Sequence, residues 1–163
     1  MILRIMSEEQ MLEAVMVGAR RHIYAMKANS LDKATGCTIY GLNKWEHNIE
    51  GAAGESVVAD FLGLEWRAPH TGIIWDGKCD LISKTGKQIE VRTRLTTPAR
   101  GHNELEMGVS KDCDDDSVYV FVTGRMPEFY IHGWLYGREC KRPEWLKALK
   151  EGFLEQYFVP SGE

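Results

Sequence analysis

The segment Val118-Tyr-Val-Phe-Val-Thr123 limits the fold more than any other. It is built from β-branched and aromatic residues with almost no polar interruption. A strand with one face in water alternates apolar and polar residues, whereas a strand covered on both faces does not. Val118–Thr123 is therefore expected as a central strand with a layer on each side. The segments around it supply candidates for those layers. Gln88–Leu95 alternates, with Ile89, Val91 and Thr93 on one face and Glu90, Arg92 and Arg94 on the other. Cys79–Ser83, Leu105–Ser110 and Phe129–Leu135 read as further strands, and Lys84-Thr-Gly-Lys87 as a tight turn that uses Gly86. Upstream, Ser7-Glu-Glu-Gln10 forms a capping-box pattern. Met11, Val15, Ala19, Ile23 and Met26 follow it at helical spacing, so a helix is expected over Glu8–Ala28. A polar loop is expected over Asn29–Asn43 and a second helix over Trp45–Gly63. Pro143 opens a short C-terminal helix pattern. The order of helix, helix, strands and helix predicts an α/β fold, with a mixed central sheet of about five strands flanked by helices.

A chain of 163 residues suits one domain. Its expected parts are an N-terminal helix and loop over 1–44, a core over 45–135, and a C-terminal helix and tail over 136–163. The net charge of −4 gives no overall attraction for nucleic acid, so any such binding needs a local basic patch. No apolar run approaches the roughly 20 residues that span a bilayer, and the first residues lack a signal-peptide pattern. Cys37, Cys79, Cys113 and Cys140 form no Cys-x-x-Cys pair and have no histidine at zinc-finger spacing. Free thiols in a reducing, cytoplasmic setting are the expectation. His22 and His47 fall in helical patterns, and His132 in a strand pattern.

The candidate chemistry lies in three acids. At about 100° per residue, Glu55 falls on the apolar face of the second helix, with Ala52, Val58, Ala59 and Leu62. Asp60 points to the polar side. Asp80 and Glu90 lie on adjacent strand patterns joined by the Gly86 turn, close enough to share a cation. Carboxylates in apolar elements are costly to bury unless they are paired or bind metal. Two or three of them suit Mg²⁺, which takes oxygen ligands and keeps several waters. Arg92 lies on the same face as Glu90 and can hold a phosphate oxygen.

The segments Ile49-Glu-Gly-Ala-Ala-Gly-Glu-Ser-Val-Val-Ala-Asp-Phe-Leu-Gly-Leu, Cys79-Asp-Leu-Ile and Ile89-Glu-Val-Arg-Thr-Arg together resemble the core of the PD-(D/E)XK nuclease superfamily. Tyr119-Val-Phe-Val and Tyr130-Ile-His-Gly-Trp-Leu resemble its later core strands, so the likeness covers roughly Trp45–Leu135. It implies a restriction-endonuclease-like sandwich and Mg²⁺-dependent cleavage of DNA, with Mn²⁺ as a substitute ion. By position, the family's site residues are Glu55, Asp80 and Glu90 as metal ligands, with Arg92 where the family has a catalytic Lys. That substitution is a departure, because an arginine does not give up its proton in a protein. Lys78, Lys87 and Lys111 are the lysines that could stand in. Small nucleases often need two active sites to cut both strands, so the likeness also raises the expectation of a homodimer.

Arg94, Arg100 and His102, with Thr93, Thr96, Thr97 and Asn103 among them, form the best local phosphate-binding run, and Lys111 adds a cation. Trp66, Trp75 and Tyr136 are core aromatics that could also stack on bases. Asp114-Asp-Asp116 is expected as an acidic turn. Two other functions remain open. One is a protein of the same fold that binds nucleic acid or protein without cutting. The other is an interaction module in which the acids form only structural ion pairs.

Overall fold

The computed structural model describes residues 1–27, 44–66, 79–94, 106–148 and 155–162. Strand β1 (Ile2–Ile5) leads into helix α1 (Glu8–Lys27), and helix α2 spans Lys44–Leu62. Strands β2 (Leu81–Ile82), β3 (Gln88–Arg94), β4 (Glu106–Ser110), β5 (Val118–Arg125) and β6 (Glu128–Tyr136) follow. A short helix α3 (Gly137–Cys140), a 3₁₀ turn (Pro143–Trp145) and strands β7 (Leu146–Lys147) and β8 (Gln156–Pro160) complete the described chain. The capping box forms as expected: the Ser7 amide donates to Gln10 Oε1 at 2.8 Å, and the Gln10 amide donates to Ser7 Oγ at 3.2 Å.

The fold is α/β around a mixed five-stranded sheet in the order β1-β6-β5-β3-β2, in which β3 and β5 run parallel. β5 is central and nearly all buried. Its apolar residues divide between two cores. Val120 and Val122 join Ile89, Val91, Phe129 and Ile131 against Ala53, Val57 and Val58 of α2 and Ala14 of α1. Tyr119 and Phe121 join Met107 and Val109 of β4 and Val159 of β8. The second covering layer is thus a three-stranded sheet, β4-β8-β7, rather than more helix.

The structure adds to or departs from the sequence reading at three places. The helix expected from Pro143 is one 3₁₀ turn followed by strand β7. There, ladder pairing of Leu146 with Tyr157 and Lys147 with Gln156 overrides local helix propensity. β1, whose short sequence has no alternation to mark it, pairs with β6 at the edge of the main sheet. Finally, the apolar series that marks α1 in the sequence mostly faces water: Val15, Ile23 and Met26 are exposed. The buried face instead carries Ala14, Val17, Gly18 and His22. Tight contact with α2 selects small residues there. A Cβ on Gly18 would lie 2.4 Å from the Ile49 Cα.

The loop expected over Asn29–Asn43 lies outside the described residues, as do Cys37, Trp75, Lys78, Arg100 and His102. Among the described residues, no helix is long and apolar enough to cross a membrane. Cys79, Cys113 and Cys140 are free thiols.

A candidate acidic site at the junction of α2, β2 and β3

The β2–β3 hairpin places the first two acids. Gly86, at φ +82°, turns the chain, and the Lys87 amide donates to Ser83 Oγ at 2.9 Å. The ladder pairs Leu81 with Ile89 and Ile82 with Gln88, and the Asp80 amide donates to the Ile89 carbonyl at 3.1 Å. Asp80 thus stands at the edge of the ladder, close enough to Glu90 for that residue's charge to act on it. Asp80 Oδ2 accepts the Val91 amide at 2.8 Å, which fixes one of its oxygens.

Helix α2 supplies the third acid. Gly54 lets the helix lie close to β3, since a Cβ there would reach within 1.9 Å of Thr93 Oγ1. The next residue, Glu55, is only 5% exposed. Both its oxygens are engaged by Arg21 of α1, at 2.6 and 2.7 Å, and Trp66 Nε1 donates to Oε2 at 3.3 Å. Glu55 was expected to offer a free oxygen to a metal; it is held in a bidentate ion pair. Asp60, on the opposite side of the helix, pairs with Arg4 as its polar placement predicts.

Sequence reasoning missed Arg21. A signal was present: Arg21 lies seven residues after Ala14, four after Val17 and three after Gly18, on the face of α1 that proves to be buried. Burial lowers the proton affinity of its guanidinium, but the hydrogen bonds and charge of Glu55, with the charge of Asp80, outweigh this and raise it. Arg21 thus belongs to the acidic site.

Arg92 occupies the position expected of the family Lys. Its Nη2 lies 3.1 Å from Glu90 Oε2, and its guanidinium sits 5.5 Å from the centre of the Tyr119 ring. The other candidate cations have different partners. Lys111 pairs with Glu155 at 2.9 Å beside the second sheet, and Lys87 lies 5.2 Å over the Tyr136 ring. Arg94 donates to the Glu106 carbonyl at 2.7 Å, a contact between β3 and the start of β4. Trp66 packs on the core beneath Glu55, and the Tyr136 ring meets Trp134 edge-on. Asp114–Asp116 form the expected turn, with Asp114 accepting from Ser117 Oγ at 2.8 Å.

The three carboxylates act on one another. Burial, then the charge of Glu55 and more weakly that of Glu90, push the Asp80 carboxyl up to about 7 against the Val91 hydrogen bond. Burial raises Glu90 as well, and Arg92 opposes that rise. Among the described residues, no three or more His, Cys, Asp or Glu side chains adopt a geometry that could hold a metal ion. Asp80 Oδ2 takes the Val91 amide and Glu90 Oε2 faces Arg92, so one oxygen of each carboxylate is already engaged.

The raised Asp80 carboxyl has a consequence for stability. In the unfolded chain it titrates near its ordinary value of 3.8, and in the folded chain near about 7. Between those values the folded state holds the extra proton, so stability falls as pH rises. The stabilisation is fully present below the unfolded value and is lost as pH passes the folded one. In EDTA, urea unfolding should therefore show a lower midpoint at about pH 8 than at about pH 5. Asp80→Asn should flatten the profile. An equal slope in wild type and variant would assign the effect to other groups.

The chain matches no protein-family model, no curated protein and no solved structure in the comparisons made.

Proposed function

We propose that the chain is a divalent-metal-dependent endonuclease that hydrolyses phosphodiester bonds in DNA. The observation that carries this proposal is a half-buried Asp80 on which the charges of both Glu55 and Glu90 act. Such a group of acids is unfavourable on its own, and a cation would relieve it. Asp80 and Glu90 would hold Mg²⁺, with Mn²⁺ able to replace it. When bound, the ion would polarise the phosphate and make water a better nucleophile.

The remaining work falls to the chain's own side chains. Arg92, half-exposed beside Glu90, would bind a phosphate oxygen and stabilise the charge that develops on it. It would not act as a base, because its proton is not released. Arg21 fixes Glu55 in the second helix and so sets the negative potential behind Asp80. Free thiols at Cys79, Cys113 and Cys140 suit a reducing compartment.

A second function is favoured by one observation. Two of the three acids already face arginines: Glu55 faces Arg21, and Glu90 faces Arg92. Ion pairs of this kind suit a nuclease-like scaffold that binds nucleic acid or a protein partner without cutting. The two functions separate in one assay. Supercoiled plasmid and single-stranded DNA are incubated with the protein in Mg²⁺, Mn²⁺ or EDTA, with Arg92→Lys alongside. Metal-dependent cutting by wild type, absent in EDTA, is the expected result. Cutting by Arg92→Lys alone would establish the silenced scaffold, and cutting by neither would sink the nuclease.

A further inference from the structure

Helix α1 has two apolar faces, and among the described residues only one is covered. The inner face packs Ala14 and Val17 at no measurable exposure. The outer face leaves Leu12 60%, Met16 54%, Ile23 41% and Met26 41% exposed, with half-buried Ala19 between them. These five positions advance by four, three, four and three residues, the spacing of a coiled-coil seam. A strip of this kind along a surface helix is expected to have a partner.

The charges beside the strip say which partner. Glu13 and Arg20 lie on one flank, each immediately after a seam residue, Leu12 and Ala19. The exposed acids Glu8, Glu9 and Glu13 occupy the first half of the helix, and the exposed Arg20 the second. When two such helices pair antiparallel, like flanks meet and the acidic half of each faces the basic half of the other. A parallel pair brings the Glu13 and Arg20 flank against Val15 and His22, with no charge to match.

We propose that the outer face of α1 docks antiparallel on α1 of a second copy of this chain. Leu12 then packs against the copy's Ile23, and Met16 against its Ala19. Glu13 lies beside the copy's Arg20, and two-fold symmetry forms that pair twice. Small Ala19 at the centre allows the helix axes to approach. The inference needs nothing from the acidic site and stands or falls apart from the nuclease proposal.

Sedimentation equilibrium of the full chain tests it, with a dimer expected. Met16→Glu combined with Ile23→Glu should give a monomer with unchanged far-UV circular dichroism, because both residues face water within one copy. Glu13→Arg or Arg20→Glu alone should weaken the dimer about tenfold, and the two together should restore it. A monomeric wild type overturns the proposal. So does a dimer that survives the double glutamate variant, which would have its interface elsewhere. Failure of the paired charge reversal to restore association would overturn the antiparallel arrangement.

Discussion

Replacing Arg21 by Met should cost about 3 kcal/mol of folding stability, a large effect for a residue on a helix that mostly faces solvent. The reason lies in its partner. Glu55 is almost wholly buried, and Arg21 satisfies both its oxygens. Without the guanidinium, the carboxylate keeps, among the described residues, only the Trp66 indole hydrogen bond and stays under the field of Asp80. A buried charge stripped of its counterion is far more costly than the pair was favourable. Changing both residues, Arg21→Met with Glu55→Gln, should therefore recover most of the loss. Urea unfolding of wild type, both single variants and the double variant gives the coupling directly. A loss under about 1 kcal/mol in Arg21→Met would show the pair to be no stronger than a surface ion pair.

Arg21 also shows where reading the sequence stops. Period-two alternation identified β3, and the unbroken apolar run identified β5 as central, because those patterns reflect burial on one face or two. The Gly86 turn and the alternation together placed Asp80 and Glu90 in one hairpin, and helical projection placed Glu55 inward. Each of these depends only on local geometry. The partner of Glu55 depends on how α1 rotates against α2, and local pattern misleads there. The bulky residues of α1 look like its core face, yet close packing at Gly18 turns Ala14, Val17 and Arg21 inward. Strands β1, β7 and β8 are short and defined by their neighbours' hydrogen bonds, so their own residues carry little signal. The same holds for Leu146 and Lys147, which sit in a helix-like sequence and pair as a strand.

Asp80→Asn should move activity and stability in opposite directions. The amide keeps the shape of the side chain and can still accept the Val91 N–H, so the hairpin has no reason to rearrange. What disappears is one negative charge from a place where burial, Glu55 and Glu90 all oppose it. In EDTA at about pH 8, where wild-type Asp80 is mostly ionised, the variant should be more stable by about 1 kcal/mol. Cleavage in Mg²⁺ should fall by at least about a hundredfold, since the proposed ion loses one of its two protein ligands. Mg²⁺ should also raise the melting temperature of wild type and leave that of the variant nearly unchanged. This pair of signs separates a metal site from a structural ion-pair cluster. In a purely structural cluster, neutralising Asp80 would change stability, but Mg²⁺ would shift neither protein. A variant that is more stable, inactive and indifferent to Mg²⁺ would mean that the chain bears the cost of crowded carboxylates for the sake of the ion that Asp80 and Glu90 hold. A variant that still cuts at the wild-type rate would remove Asp80 from the chemistry, and the nuclease proposal with it.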